Sequence, residues 1–498
     1  MLYQAAYEEA PDLRTLRPEV PEHVDAAVRG ALAKAPDERL PSAEAFLEAL
    51  RREADGQTPG GRYAALEGVR TSLGGSASEA RGTHLRELVR GSPWLVTSVI
   101  VVTSVLAAVA LWPRQHAAFA LYASGLNELR DHYDSAHLTS AIDALQRAVA
   151  ADTSFPEAEA ALAQAIVYRG RATEDTTLVG LAREHADRAL QIEPQLPAAH
   201  VARGMVELWT GTPRLALDAF DLALHYDSAS VDAKRGVGDA YLALDEREAA
   251  MNAFRAALEL DSNDWYTHFR LGYAHYIYGQ YEEAGQAWAR VLKLTPRNGD
   301  ALLNHGSLLF ALERFDQANA TFRRLVAVRP DGDAHANLGT SYFYDGDYRA
   351  AADQYELALR DDPGDYEKSG YLAAAYAALG DTARARRVYR QAEASLQAIP
   401  GWEDDPLLLS EFATYKAALG DDRDARQLIE TATVPPPTSV YVMVNVASAY
   451  GRLEEPRQAA VWACRAADSG YSAALLKRSP ALAGARTHLE ECLNRRAA

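Results

Sequence analysis

The sequence predicts an all-α protein: an α-solenoid of about ten helix–turn–helix units, preceded by one membrane-spanning helix and a short helical head. Three observations carry that expectation. Glycine, alanine and aromatic residues recur at a spacing of 34 through the middle of the chain. One run of nineteen uncharged residues is bracketed by tryptophans. The composition, 48% hydrophobic and 24% charged with two cysteines in 498 residues, suits a folded chain and excludes a disulfide scaffold or a Cys-rich zinc module.

The head, residues 1–52, is helical in pattern. Pro21 opens one helix, the run Ala35 to Arg39 breaks it, and Ser42 caps a second whose apolar face runs from Ala43 to Leu50. Ten acids against seven bases oppose a small DNA-binding module here. The run LRPEVPEHVDAAVRGALAKAPDERLPSAEAFLEAL, Leu16 to Leu50, resembles the end of the large lobe of bacterial transmembrane serine/threonine protein kinases. In that family the arginine matching Arg39 is buried against a glutamate that closes the activation segment, and that glutamate has no counterpart here. The sequence has no Gly-rich phosphate loop after a strand, no Val-Ala-Ile-Lys lysine, no His-Arg-Asp loop and no Asp-Phe-Gly motif. Phosphates and magnesium therefore have no ligands, and the expectation is a truncated lobe without catalysis.

Residues 53–93, with TPGG, SLGGSAS and RGSP, read as a flexible Gly/Ser-rich linker. The next stretch, Trp94 to Trp112, reads WLVTSVIVVTSVLAAVALW without a charge. At 1.5 Å per residue it spans roughly 28 Å, about one hydrocarbon core, with a Trp at each interface. Arg90 and Pro93 precede it and Pro113 and Arg114 follow, all unsuited to the core of a membrane helix. Arg81, Arg86 and Arg90 on the amino side against Arg114 and Arg130 on the other place the amino terminus in the cytoplasm and the rest of the chain across the membrane.

From residue 113 to 470 the sequence repeats. Gly204, Gly238, Gly272 and Gly306 stand 34 apart; twelve residues beyond each comes Ala216, Ala250, Ala284 or Ala318, and four further on Phe220, Phe254, Trp288 or Phe322. The register slips by one and continues with Gly339, Ala351, Tyr355, Ala358 and Pro363, then Leu372, Tyr376, Ala385 and Tyr389. This is similar to the tetratricopeptide repeat (TPR), two antiparallel helices per unit. Gly or Ala stands where the two helices cross closely, the aromatic plugs the gap to the neighbouring unit, and Pro296, Pro330 and Pro363 end second helices. Degenerate copies run upstream through Ala141, Leu145 and Ala148 and through Ala182, Ala186 and Ala189. Downstream copies carry Ala413 with Ala425 and Ala447 with Ala459, around the break at Pro435 to Pro437. The stretch beginning AAVWACRAADSGYSAALL loses the pattern, and residues 471–498 are expected to cap the open end of the stack. The array and its cap also resemble the regions that follow the membrane helix in some of those kinases.

In such arrays the first helices line a concave face. With the recurrent glycine at position eight, the inward positions carry Tyr266, Phe269, Tyr273, Tyr276, Phe310, Phe343 and Tyr344. The strip is a candidate seat for a protein or peptide. Intramolecular packing is the other reading. Asn304 and Asn337 recur at position six without an accompanying lysine, which disfavours capture of a peptide's terminal carboxylate there. His200, His268 and His335 share position four of alternate units, too far apart to meet on one ion, so no metal and no cofactor is expected. Cys464 and Cys492 read as small apolar residues, with at most one bridge between them.

The net charge of −18 excludes a nucleic-acid surface, and −15 of it falls after residue 112. The sequence thus describes a single-pass cell-membrane protein with an exported TPR domain, the non-catalytic part of a receptor-like serine/threonine kinase. Two other readings stand: an active kinase whose reading frame begins upstream of Met1, and a membrane-tethered scaffold or regulator without kinase ancestry.

Overall fold

The computed structural model describes residues 115–497. The head at 1–52, the linker at 53–93 and the membrane span at 94–112 lie outside the described residues. Within those residues there is no strand, and no helix is long and apolar enough to cross a membrane.

Ten helix pairs follow one another. The first five are α1 (115–129) with α2 (Ser135–Ala151), α3 (Pro156–Thr173) with α4 (Leu178–Ile192), α5 (Pro197–Trp209) with α6 (Pro213–Tyr226), α7 (Val231–Ala243) with α8 (Arg247–Leu260), and α9 (Trp265–Ile277) with α10 (Tyr281–Leu294). The next five are α11 (Gly299–Ala311) with α12 (Phe315–Val328), α13 (Gly332–Asp345) with α14 (Tyr348–Ala358), α15 (Tyr366–Ala378) with α16 (Thr382–Gln397), α17 (Pro406–Leu419) with α18 (Asp422–Ala432), and α19 (Val440–Arg452) with α20 (Pro456–Asp468). Most helices pack on their partner and then on the first helix of the next pair.

The period of 34 appears as three local devices. Ser230, Asp264, Asn298, Asp331 and Asp365 open successive first helices, each accepting the backbone N–H three residues on at 2.8–3.2 Å. Each such cap is worth about 0.5–2 kcal/mol. Inside the pairs the chain reverses through a left-handed residue at Gly211, Asp245, Gly279, Glu313, Gly346, Gly380, Gly420 or Glu454. Finally, a Cβ on Gly204, Gly238, Gly272, Gly306 or Gly339 would come within 2.6–2.9 Å of the ring sixteen residues on, Phe220, Phe254, Trp288, Phe322 or Tyr355. Only glycine lets that ring lie flat on the first helix. The five rings are buried, each contributing about 1.5–3 kcal/mol. Phe220 also touches Gly236 of the next unit, so the ring serves both its own helix crossing and the seam beyond.

The regular array includes Ala459–Asp468, which lie in α20. The cap is α21 (Ala473–Arg478), a 3-10 segment (Pro480–Ala485) and α22 (Arg486–Ala497). Leu476, Leu482 and Leu489 bury themselves against Val442, Val446 and Ala463 of the last pair. Cys464 of α20 and Cys492 of α22 are disulfide-bonded, with Cα atoms 6.6 Å apart. That separation lies inside the range a bridge spans. Both remain packed on the apolar cluster, but the cap is also held covalently, which corrects the simpler apolar reading of these two residues.

The solenoid is tight enough to touch itself about four units on. Trp265 Nε1 donates to the Arg130 carbonyl at 2.9 Å, bringing the α1–α2 turn against α9. At the other end Arg478 Nη1 donates to the Tyr344 carbonyl at 3.2 Å, and Ser472 Oγ donates to Glu313 Oε1 at 3.2 Å, laying the cap back across α11–α13. The cap therefore does more than cover a terminal face.

Candidate ligand-binding groove

The first helices place the seven strip residues in different surroundings. Tyr266 belongs to an aromatic cluster with the α1–α2 turn. His132 stacks on Tyr168 at 3.9 Å and meets the Tyr266 ring edge-on at 4.8 Å, while the Arg235 guanidinium lies 4.7 Å over Tyr266. Arg235 is held by Asp232 and, at 2.9 Å, by Asp264. Burial, foremost, lowers the His132 pKa to about 4. A cavity of about 610 Å³ remains between this cluster and α1.

Phe269 packs between units, against the apolar clusters that include Leu308 and Leu309. Tyr276 leans on Tyr281 and Trp288 of its own second helix, with ring centres 5.6 and 5.9 Å away. Tyr273 is 41% exposed, with Arg270 above its ring at 5.2 Å. The strip is therefore interrupted between Tyr266 and Phe310.

Phe310, Phe343 and Tyr344 meet in a second cavity of about 460 Å³. Tyr344 stands at 5.5–5.6 Å from both phenyl rings, and its hydroxyl hydrogen-bonds that of Tyr471 in the cap. The opposite wall comes from first helices that the strip did not include: Tyr371 on α15, Glu411 and Tyr415 on α17, and Tyr441, Asn445 and Arg452 on α19. Ser479, Pro480 and Ala481 of the cap complete it. Tyr355 and Tyr389 reach it from second helices. Gly370 is required here, since a Cβ would lie 2.6 Å from the Tyr415 hydroxyl. That hydroxyl is 2.9 Å from Glu411 Oε1 and 3.1 Å from the Tyr366 carbonyl. Burial, opposed by the Tyr415 hydrogen bond and reinforced by the Glu367 carboxylate, pushes the Glu411 carboxyl up to about 7.

One signal for Glu411 was present in the sequence: it is the only acid in the largely apolar helix PLLLSEFATYKAAL, whose one base is Lys416. The convergence of Arg452 and Tyr471 on the same space had no such signal.

The three histidines of position four are separate. His200 Nε2 donates to the Pro194 carbonyl at 2.9 Å, His268 Nε2 to the Ser262 carbonyl at 3.1 Å, and His335 Nδ1 to Gln354 Oε1 at 2.8 Å. Among the described residues no group of His, Cys, Asp and Glu is placed to hold a metal ion. Asn337 Nδ2 donates to the Asp333 carbonyl within its own helix at 2.8 Å.

Two sequence families, each described as tetratricopeptide repeat, match the chain, one at residues 236–301 and 336–401 and the other at 276–340. Over residues 236–401 the units are tetratricopeptide repeats. No curated protein matches the sequence. Among solved structures, a tetratricopeptide repeat protein from Parabacteroides merdae is 17% identical over 51% of this chain and 98% of its own, with a TM-score of 0.42. The C-terminal part of a TPR repeat-containing protein from Cytophaga hutchinsonii is 18% identical over 49% and 99%, with a TM-score of 0.40. YrrB, described as a TPR protein with an unusual peptide-binding site, is 22% identical over 36% and 93%, with a TM-score of 0.34.

Proposed function

We propose that this chain is a single-pass membrane protein whose tetratricopeptide solenoid lies outside the cytoplasm and binds a protein or peptide in its concave groove. The observation that carries the binding reading is the cavity between α11 and the cap. It is walled by tyrosines from first helices and roofed by the chain's own carboxyl end. Tyrosine supplies contact area at low entropic cost, which suits a surface for a peptide. Export is supported by the Cys464–Cys492 bridge, because disulfides persist in oxidising compartments. It is supported also by the uncharged run Trp94 to Trp112 and the arginines before it.

The relation to receptor-like serine/threonine kinases rests on Leu16 to Leu50 and on the likeness of the array and its cap to the regions that follow the membrane helix in some of those kinases. It makes the chain a non-catalytic receptor arm, and in-frame Gly-rich and His-Arg-Asp codons upstream of Met1 would instead make it part of an active kinase. A stop codon just upstream would remove that alternative.

Site-specific photo-crosslinking in cells tests the groove. A crosslinker replacing Tyr273 or Tyr441, both open on the first helices, should trap a partner, whereas one replacing Leu222 on the second helix α6 should not. Equal trapping at all three sites would refute the concave reading. For topology, alkaline phosphatase fused after Ala498 should be active; an inactive phosphatase beside a fluorescent green fluorescent protein fusion would reverse the orientation.

A further inference from the structure

The cavity beneath the cap is lined by two ionisable groups, Glu411 and Arg452, that have no oppositely charged partner among the described residues. Glu411 accepts from Tyr415 Oη at 2.9 Å on one oxygen and from Asn445 Nδ2 at 3.3 Å on the other, yet no basic side chain of the described residues pairs with it. The charge that acts on it, Glu367, is another acid and is bonded by Tyr371. Tyrosines surround the carboxyl in two ring pairs, Tyr355 with Tyr371 at 5.7 Å and Tyr389 with Tyr415 at 5.8 Å. A carboxyl among ring faces and lacking a base is what an ammonium group completes, since the cation gains both the carboxylate and the ring quadrupoles.

Arg452 shows the opposite deficiency. Its guanidinium lies 5.3 Å over the Tyr389 ring, makes no ion pair with a described residue, and leaves Nε buried without a hydrogen-bond partner. A donor fork in a cavity wall is matched by a carboxylate.

Helix α19 sets the scale of the separation, because it carries Arg452 and the Asn445 that bonds Glu411 of α17. Asn445, which touches Glu411, and Arg452 are two turns apart on one face of α19. At 1.5 Å per residue that is about 10 Å, too far for the two ends of one amino acid. An extended chain advances roughly 3.3–3.6 Å per residue, so about three residues bridge it. The volume of about 460 Å³ suits a ligand of that size, and the cap limits how far a longer chain can run.

We propose that this cavity binds a free peptide of about three residues, its terminal ammonium on Glu411 among the tyrosines and its terminal carboxylate on Arg452. The proposal rests on the concave face being a peptide site and adds the length, the polarity and the requirement for two free termini.

Isothermal titration of the full chain with trialanine, N-acetyl-trialanine and trialanine amide tests it. The free peptide should bind, and blocking either end should weaken binding about ten- to a hundredfold. Glu411→Gln should bind the free and acetylated peptides alike while still discriminating against the amide, and Arg452→Gln should do the converse. Each variant thus retains one preference, which shows that it is folded. At roughly pH 6, where Glu411 is largely protonated, binding should release up to about one proton, read from the dependence of the heat on buffer ionisation. That release should vanish in Glu411→Gln. Blocked peptides binding as well as the free one, or no peptide binding to a chain of native helix content, would overturn the proposal. Crosslinking from Tyr441 decides separately whether the groove takes a partner at all.

Discussion

Gly451→Ala is the sharpest test of how the cap closes the groove, because two effects of known sign oppose each other there. Gly451 lies in the last turn of α19, where alanine ordinarily stabilises a helix by up to about 1 kcal/mol over glycine. An added Cβ would stand 2.1 Å from the Ala481 carbonyl oxygen and 3.0 Å from its carbon. A carbon–oxygen contact needs about 3.3 Å, so the cap backbone must retreat by about 1.2 Å. Backbone cannot swing aside as a side-chain tip does, and such overpacking costs about 1–3 kcal/mol. Set against the helix gain, the net change is a loss of up to about 2 kcal/mol, centred on the cap because its apolar anchors Leu476, Leu482 and Leu489 pack on the last units. Amide exchange over residues 473–494 should accelerate by up to about thirtyfold, while exchange in α3 to α8 stays unchanged. Gly180→Ala is the control: nothing lies within 4 Å of its added Cβ, so only the helix gain remains and the protein should become slightly more stable. If Gly451→Ala also stabilises the protein and leaves cap exchange unaltered, the cap does not lie across α19 as described.

Arg235→Met should cost about 3 kcal/mol in urea unfolding, since it strands the carboxylate of Asp264 beside Tyr266; a loss below about 1 kcal/mol would show that the pair is solvated. His132 is held neutral, with a folded pKa of about 4 against 6.5 unfolded, so the unfolded state binds more protons between these values. Its stabilisation is complete above pH 6.5 and is lost as pH falls toward 4, by at most about 3 kcal/mol; Trp265 fluorescence should report the undocking, and His132→Leu should abolish that acid step. Reduction of Cys464–Cys492, whose sequence separation is 28, releases a restraint worth about 3.6 kcal/mol on the chain-entropy account. Limited proteolysis should then cut first between 469 and 494, and equal cutting with and without reductant would show that the cap is held by packing alone.

The repeats were legible because each unit obeys one local rule. The ring of Phe254 needs the bare backbone of Gly238, the turn between them needs a left-handed residue, and both demands recur with the same period. The partition of the strip was not legible. Position within a unit says that Tyr266 and Phe343 face inward, but not what lies opposite. That is set by the pitch of the superhelix, the sum of small rotations at every seam. His132 reaches Tyr266 across more than 130 residues for this reason, and Tyr471 reaches Tyr344 likewise. Buried charges were hidden as well. Glu159 is fully buried against His185 at 2.5 Å, and Glu207 is buried between Arg183 and Arg203 at 3.1 and 2.7 Å. In sequence each looks like one more acid on an acidic surface, because His185 and Arg183 lie on a neighbouring helix and only Arg203 shares the helix of Glu207.

The same pitch decides what kind of partner the groove can hold. The Arg130–Trp265 and Arg478–Tyr344 contacts bring the first pair and the cap back onto the array, so the concave face of the described residues is two pockets with Tyr273 exposed between them. A partner helix about 10 Å across occupies roughly 120 Å³ for each 1.5 Å residue. The cavity of about 460 Å³ therefore accepts about four helical residues, far fewer than the dozen or more that make a helix persist. An extended segment meets no such threshold: its backbone groups face outward and can be taken up by hydroxyls and amides such as those of Tyr415, Asn445 and Thr414. The size of the pocket, and not only its lining, thus selects a short extended ligand over the amphipathic helix that an open aromatic groove would invite.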